Sequence, residues 1–299
     1  MIESQRTEYA KLCEARLFVE CLEGVNIFKS PPVVGITLGT GLGYMAELLK
    51  DSASCSYAEI PNCPKSSAPD HAGRLWFGKL NGVNVVMCQG RVHLYEGYDV
   101  QQVVFLTRLM ALLGAKQMIL THATGATTKN LKVRDIVGIR DHLVPDWLDP
   151  TAGVREPEFE KGFKFEFTPM AKAYSQRLLV LAEECALERK VAFRLGVSSF
   201  HKGRTYETAA EIERMRHEGA DVATMSTIPE VIAAHQLGVE VLDLALVTNM
   251  GTGVVGDVSP HDVAKEGQNM KEKFGGLITD IVPRMAALVE QDEIDKEKK

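Results

Sequence analysis

The sequence has no apolar run as long as the roughly 18 residues that a membrane-spanning helix requires. Its first residues, MIESQRTEYAKLCEARLF, carry charges throughout and lack the apolar core of a signal peptide. We therefore expect a cytoplasmic protein without a membrane partner.

Basic charge is also scarce, because 34 Lys and Arg residues stand against 40 Asp and Glu residues and leave a net charge of −6. A protein that binds DNA or RNA duplexes usually needs a basic face, so we expect no nucleic-acid partner. The six cysteines include no CxxC pair, and no short Cys/His cluster has the spacing of zinc ligands. We expect reduced, mostly buried thiols and no metal site.

No stretch rich in Gly, Ser or Pro divides the chain, and no segment repeats. The content of 45% hydrophobic and 25% charged residues is ordinary for a globular protein. Predicted strands and helices alternate along the chain, which indicates an α/β fold. We predict one domain over residues 1–299, with an N-terminal helix and connector at 1–30 and a solvated tail at 290–299.

Hydrophobic patterning predicts the individual elements. The clearest is a hairpin, because Asn81-Gly82 is a strong two-residue turn signal between two strand-like segments. Thr227-Ile-Pro-Glu230 predicts a capping box at a helix N-terminus. Residues 145–169 contain four prolines and predict a long functional loop. Strands are predicted at 33–38, 74–80, 83–89, 117–121, 135–139, 191–200, 221–225 and 239–248, and helices at 3–22, 103–113, 170–188, 209–217 and from 227 and 260 onward.

The segment Gly39-Thr-Gly-Leu-Gly43 follows a predicted buried strand and offers backbone amides and the Thr40 hydroxyl to an anion. A tight turn without a ligand explains it equally well. A dinucleotide-dependent dehydrogenase is not favoured, since Tyr44 stands where the last glycine of G-x-G-x-x-G belongs.

The segment Gln89-Gly-Arg-Val-His-Leu-Tyr-Glu-Gly97 places Arg91, His93 and Tyr95 on one side if it is extended. The guanidinium offers a planar fork to an oxyanion, and the imidazole is a switchable donor. A half-exposed strand can carry solvated polar residues, but three such groups at a strand end indicate a ligand site.

Ser226 lies between a predicted strand end and a helix N-terminus, which is an arrangement suited to an anion or to a plain helix cap. Tyr206-Glu207 follows Gly203, and Thr248-Asn249 lies at the end of a predicted strand. Their side chains can bind the amide edge of a ligand or cap a turn.

Together these segments resemble the trimeric purine nucleoside phosphorylase family over residues 33–261. QGRVHLYEGY and MSTIPEV are specific to that resemblance, whereas GTGLG is not. The resemblance implies a phosphorylase/hydrolase-like fold with a central mixed β-sheet flanked by helices, and a homotrimer. It implies a pentosyltransferase of nucleoside salvage, in which phosphate attacks C1′ of a purine ribo- or deoxyribonucleoside and releases the base and the sugar 1-phosphate. No cofactor is implied, because inorganic phosphate is the co-substrate.

The resemblance also implies roles for individual residues, segment by segment. Catalytic roles fall to His93, Glu207 and Asn249. Phosphate contacts fall to Thr40, His71, Arg91, His93, Ser226 and the backbone amide of Ala123, and ribose contacts to Tyr95, Met225 and His261. Base contacts fall to His122, Tyr206, Glu207, Thr224 and Asn249, and Phe163 resembles the aromatic residue that family members lend to a neighbouring subunit.

Departures from the family pattern cluster around the base. The family usually has Asn, Gly and Val where this chain has His122, Thr224 and Gly251. Added donors, Thr124 and Thr224 among them, and lost apolar volume predict broader base selection, reaching adenosine or pyrimidine nucleosides. The alternatives are a methylthioadenosine phosphorylase, although those enzymes lack the RVHLYEG stretch, and a non-catalytic nucleoside-binding relative.

Overall fold

A computed structural model of the chain describes residues 7–23, 31–68, 71–145, 147–152, 167–255 and 260–298, with side chains in the last range from residue 263. These residues form a nine-stranded mixed sheet with helices packed against it, as the sequence predicts. The strands are β1 Val34–Leu38, β2 Lys50–Ser56, β3 Arg74–Leu80, β4 Val83–Gln89, β5 Gln117–Ala126, β6 Ile136–Leu143, β7 Phe193–Phe200, β8 Val222–Thr224 and β9 Glu240–Met250. The α-helices are α1 Glu8–Glu20, α2 Val100–Val103, α3 Phe105–Leu112, α4 Gln176–Glu188, α5 Ala209–His217, α6 Ile228–Gln236 and α7 Pro260–Glu297.

The sheet order is β2-β3-β4-β1-β5-β8-β7-β6-β9, and β9 also pairs with β5, which closes the last five strands into a ring. On one edge β5 pairs with β9 along its length. On the other edge it pairs with β1 as far as Leu120 and with β8 from Gly125. Between Leu120 and Gly125 that second edge therefore faces none of the described strands, and the sheet branches there.

The hairpin of β3 and β4 confirms the prediction in both strands. Asn81 and Gly82 have φ values of 47° and 86°, the left-handed backbone that a tight hairpin turn needs. Local turn chemistry therefore determined this pairing.

The helix predicted at 170–188 begins later than expected. Only a short 3₁₀ turn, Met170–Lys172, precedes α4, and Ser175 between them is extended. The Ser175 amide donates to the carbonyl oxygen of Val241 at 3.0 Å, so a bond to β9 replaces a helical one. Similarly, the helix predicted at 103–113 is broken at Val104 into α2 and α3.

Two differences concern polar segments. Strand β2 was not predicted, because its sequence KDSASCS contains one buried apolar residue, Cys55. The tail predicted at 290–299 is helical as far as Glu297, although most of its side chains are exposed. None of the helices in the described ranges has the length and apolar character needed to cross a membrane.

Candidate active site

A cavity of about 310 Å³ lies where β1, β4, β5, β8 and β9 end. Ligands of α/β sheets bind outside the carboxyl ends of strands, where the strand order switches. The branch in β5 is such a point, and residues 122–125 of β5 line the cavity. The predicted site residues that line it are Thr40, His71, Arg91, His93, Tyr95, His122, Ala123, Tyr206, Glu207, Thr224, Met225, Ser226 and Asn249.

The Arg91 guanidinium is buried and lines this cavity. Its Nε donates to the Glu230 carboxylate, at 3.1 Å to Oε2 and 3.3 Å to Oε1. Its Nη1 donates to the carbonyl oxygen of Thr121 at 2.8 Å. Its Nη2 is buried and has no hydrogen-bond partner among the described residues. A buried donor of this kind needs an acceptor, and a phosphate oxygen would supply one.

Gly39 makes room for one of these contacts. A Cβ atom at Gly39 would lie 2.6 Å from the Thr121 carbonyl oxygen that holds Arg91. The Gly39 amide instead donates to Thr121 Oγ1 at 2.8 Å. The glycine-rich loop is therefore required for close packing, and its Thr40 lines the cavity.

The predicted capping box at Thr227 and Glu230 is wrong. Thr227 has helical dihedral angles, and its side chain caps no backbone amide of α6. Its hydroxyl donates to Asp243 Oδ2 at 2.8 Å, while Glu230 pairs with Arg91. Burial raises the pKa of Glu230, and the Arg91 guanidinium opposes that rise. The segment thus supplies buried polar partners to the site.

His93 is oriented by a carboxylate three residues further along the chain. The segment is extended only as far as His93, because Leu94–Glu96 form a 3₁₀ turn. His93 Nδ1 lies 2.9 Å from Glu96 Oε1. Burial would raise the pKa of Glu96, but hydrogen bonds from His93 and Ser67 outweigh it and lower the pKa to about 2. An ionised carboxylate only accepts hydrogen bonds, so the Nδ1 of His93 carries the proton and Nε2 of the neutral ring is an acceptor.

Three aromatic rings follow one another along the cavity. The His93 ring stacks on Tyr95 with centroids 4.5 Å apart, and on His71 with centroids 5.3 Å apart. Burial and the neighbouring His93 lower the pKa of His71 to about 4, and burial lowers the pKa of His93. Both imidazoles are therefore neutral at pH 7, and Arg91 carries the positive charge on this wall.

His122 lines the cavity and belongs to a buried polar cluster. Its Nδ1 lies 3.2 Å from both Thr227 Oγ1 and Asp243 Oδ1. The Thr227 hydroxyl donates its proton to Asp243, so its oxygen accepts from the imidazole. His122 is 3% exposed, and its Nε2 is buried without a hydrogen-bond partner among the described residues.

Glu207 and Asn249 lie on the cavity wall expected to hold a base. Glu207 is 9% exposed, and within the described ranges its carboxylate makes neither a hydrogen bond nor an ion pair. The Asn249 amide donates to the carbonyl oxygen of Met250 at 3.2 Å and accepts from the Thr248 hydroxyl at 3.1 Å. One N–H and one oxygen lone pair of this amide remain for a ligand.

Two residues expected to broaden the base pocket, Thr124 and Gly251, do not supply the free donor or the extra space that was predicted. The Thr124 hydroxyl donates to the carbonyl oxygen of Ala223 at 2.6 Å, and Thr224 Oγ1 accepts from the Ser226 amide. The proton of Thr124 is thus committed within the protein. Gly251 adds no space to the cavity, since a Cβ atom there would lie 2.8 Å from Ile212 Cδ1.

Sequence reasoning missed the partners that orient the site. Glu96 follows His93 by three residues, and that spacing was a usable signal. Glu230 was assigned to a cap, and Asp243 lies in an apolar strand with no local signal. His261 and Phe163, the predicted ribose contact and neighbouring-subunit contribution, have side chains outside the described part of the chain. Across the described residues, no three His, Cys, Asp or Glu side chains are grouped to hold a metal ion.

Comparisons with known proteins agree with this geometry. The model of the phosphorylase superfamily matches residues 33–283. Purine nucleoside phosphorylase 1 of Geobacillus stearothermophilus is 37% identical over 260 residues, which cover 87% of this chain and 93% of the relative. Two crystal structures from Schistosoma mansoni are similar to this chain, and each match covers 93% of this chain and 98% of the solved chain. They are purine nucleoside phosphorylase in complex with adenosine, at 32% identity and a TM-score of 0.82, and isoform 2 in complex with cytosine and ribose-1-phosphate, at 29% and 0.83.

The chain has a mixed sheet with a cavity at its branch point, and the family match over residues 33–283 places it in the phosphorylase superfamily. Within it, the chain belongs to the purine nucleoside phosphorylase family, as its sequence predicted. It is a nucleoside phosphorylase, a pentosyltransferase that acts on nucleosides and phosphate.

Proposed function

We propose that this chain cleaves 6-oxopurine nucleosides with phosphate bound at Arg91, and that it also accepts adenosine and cytidine. The observation that carries the proposal is one cavity lined by two groups without partners among the described residues, Nη2 of the buried Arg91 guanidinium and the Glu207 carboxylate. The guanidinium suits an oxyanion and the carboxylate suits the N–H groups of a base.

In the proposed reaction, Thr40, Ser226 and the Ala123 amide join Arg91 in holding phosphate. The neutral Nε2 of His93 accepts a proton from the bound phosphate, which makes its oxygen a better nucleophile. The phosphate oxygen forms a bond to C1′ as the C1′–N bond breaks. Cleavage passes through a cation-like sugar that the phosphate charge stabilises.

The leaving base takes the electron pair of the broken bond. The free N–H of the Asn249 amide can donate to the negative base, and Glu207 can hold a base N–H. Tyr95, Met225 and His261 are proposed to contact the ribose, and Tyr206, Thr224 and His122 to shape the base side. His122 lines this side of the cavity and is held by Thr227 and Asp243.

Base selection is proposed to extend beyond 6-oxopurines. A 6-amino group donates where a 6-oxo group accepts, and Asn249 has one donor and one acceptor left. Relatives of the same fold were solved with adenosine and with cytosine and ribose-1-phosphate. A site rejects a ligand strongly only when buried polar groups are left unpaired, and this amide can pair with either group.

The remaining features are proposed from the family resemblance. The chain acts as a single-domain subunit of a cytoplasmic homotrimer in nucleoside salvage, with Phe163 completing a neighbouring site. It takes no cofactor or metal, because phosphate itself is the nucleophile, and it binds neither nucleic acid nor membranes.

The test is release of free base from inosine, guanosine, adenosine, cytidine and uridine at a fixed phosphate concentration. Release and formation of the sugar 1-phosphate should both require phosphate. The values of kcat/KM for adenosine and cytidine should lie within roughly three decades of that for inosine, about 4 kcal/mol of transition-state discrimination. Larger gaps for both would refute the extended base selection, and base release without phosphate would refute phosphorolysis.

A further inference from the structure

The buried ion pair between Arg91 and Glu230 holds the guanidinium from the side of α6. Their side chains are each only 4% exposed, and Nε lies within 3.3 Å of both carboxylate oxygens. A buried charge pair is retained at a cost in desolvation, so it gains little stability over apolar packing. The benefit of this ion pair therefore lies in the orientation that it gives the Arg91 guanidinium.

A second contact holds the guanidinium from the side of β5. Nη1 donates to the Thr121 carbonyl oxygen, and Thr121 is itself fixed because its hydroxyl donates to the carbonyl oxygen of Thr37 at 2.8 Å. A planar group held at two of its nitrogens cannot rotate without breaking a bond. Only the third nitrogen, Nη2, is left without a partner in the described structure.

The local sequence would allow Glu230 another use. It lies three residues after Thr227, the spacing of a capping box, yet the box does not form. The carboxylate instead reaches a residue 139 positions away. The Glu230 carboxylate of helix α6 thus forms no cap and instead pairs with Arg91.

We propose that Glu230 is a positioning residue that fixes the Arg91 guanidinium so that Nη2 is presented to phosphate. The inference rests on the proposed function, in which Arg91 binds phosphate. Glu230 also has an opposing effect, since its charge partly neutralises Arg91 and weakens the attraction for an anion. The two effects predict opposite results on substitution, which makes the proposal testable.

The experiment is calorimetric titration of the full chain with inorganic phosphate, together with steady-state kinetics. Glu230→Gln replaces one oxygen by an NH₂ group that repels the guanidinium donors, and Glu230→Asp keeps the charge but withdraws both oxygens by one methylene. We expect both variants to bind phosphate at least tenfold more weakly. The KM for inosine and kcat at saturating phosphate should stay within threefold of wild type, a split that general loss of structure would not produce.

A matched control is Val231→Ala, which removes buried volume from the adjacent position of α6. It should lower Tm and leave the phosphate Kd within twofold. In an Arg91→Met background, Glu230→Gln should cause no further loss of phosphate binding, because the group it orients is gone.

Three results would overturn the proposal: tighter phosphate binding by Glu230→Gln, wild-type binding by Glu230→Asp, or an undiminished Glu230→Gln effect in the Arg91→Met background. The first two results would mean that Glu230 only balances the charge of Arg91. The third would mean that Glu230 affects phosphate binding without acting through Arg91. A wild-type chain that binds no phosphate would refute the proposed function as well, whereas these three results would leave it intact.

Discussion

Four ionisable side chains are buried together at the cavity: Arg91 and His122 line it, and Glu230 and Asp243 are their partners. Each charge there is compensated by a neighbour, since burying an unpaired charge costs several kcal/mol. Removal of any one member therefore disturbs the others. At the scale of single residues, the site depends on these pairings as much as on the groups that face the ligand.

Replacing Arg91 by lysine should impair phosphate use more than base selection. An ammonium group cannot make the two fixed contacts to Glu230 and Thr121 and still present a planar donor to phosphate. Loss of one charge-assisted hydrogen bond costs about 1.5–3 kcal/mol, so KM for phosphate should rise by about 10- to 150-fold. His93→Ala should act in the same direction. Phosphate kinetics at saturating inosine measure the effect, and an unchanged phosphate KM in both variants would remove these residues from the phosphate site.

Stability should fall on mild acidification because of His71. Its pKa is lowered from 6.5 to about 4, so between those values the unfolded chain binds a proton that the folded chain does not. The free energy of unfolding therefore rises as pH increases from 4 to 6.5, by at most about 3 kcal/mol. Urea unfolding measured at pH 7 and pH 5 should show this loss, and His71→Gln should reduce it. Equal pH dependence in the variant would contradict the assignment.

Sequence reasoning located the residues that face the cavity but not those that orient them. Arg91, His93 and Asn249 are in short segments whose spacing is informative by itself. Glu230 and Asp243 act through partners that only the fold brings close. Glu230 pairs with Arg91, which lies 139 positions away in the sequence, and Asp243 of β9 pairs with Thr227 at the start of α6. No local pattern reports such a pairing.

At the scale of elements, the threonines at the N-termini of α5 and α6, Thr208 and Thr227, make different hydrogen bonds. Thr208 caps α5, where its hydroxyl accepts from the Glu211 amide and the Glu211 carboxylate accepts from the Thr208 amide. Thr227 makes no cap and serves Asp243. The same Thr-x-x-Glu pattern thus forms a local capping box in α5, whereas in α6 its side chains bond to residues on other elements.

Replacement of these threonines should separate the two roles. Thr208→Ala should cost about 1 kcal/mol, the usual value of a lost N-cap. Thr227→Ala removes the hydroxyl that donates to the buried Oδ2 of Asp243 and should cost about 1–3 kcal/mol. Thr227→Ser keeps the hydroxyl and should restore most of that stability. Urea unfolding at pH 7 measures all three. A larger loss for Thr208→Ala than for Thr227→Ala would contradict this reading.

Element boundaries were predictable where the chain itself terminates them. The β3–β4 hairpin and α5 begin and end as predicted, because a tight turn and a capping box are local. Strand β2 and the start of α4 were not predictable, because both depend on pairing with another strand.

At the scale of the whole molecule, two exposed aromatic residues flank in sequence Phe163, the residue proposed to complete a neighbouring subunit's site. Trp147 is 58% exposed and Phe167 is fully exposed, one on each side of it. Sedimentation velocity should give three times the 32.9 kDa chain mass. Phe163→Ala should reduce nucleoside affinity without dissociating the trimer. A stable, fully active monomer would contradict both expectations.

The ring of five strands has a consequence for solubility. Because β9 closes on β5, β2 is the one described strand that pairs along only one side. An open strand of this kind invites addition of a strand from another molecule. Strand β2 is irregular between Lys50 and Ala53, and Lys50, Asp51 and Ser52 are exposed. Its polar side chains and irregular backbone make β2 a poor template for an added strand. Strand β2, which the sequence did not predict, therefore protects the sheet against edge-to-edge aggregation.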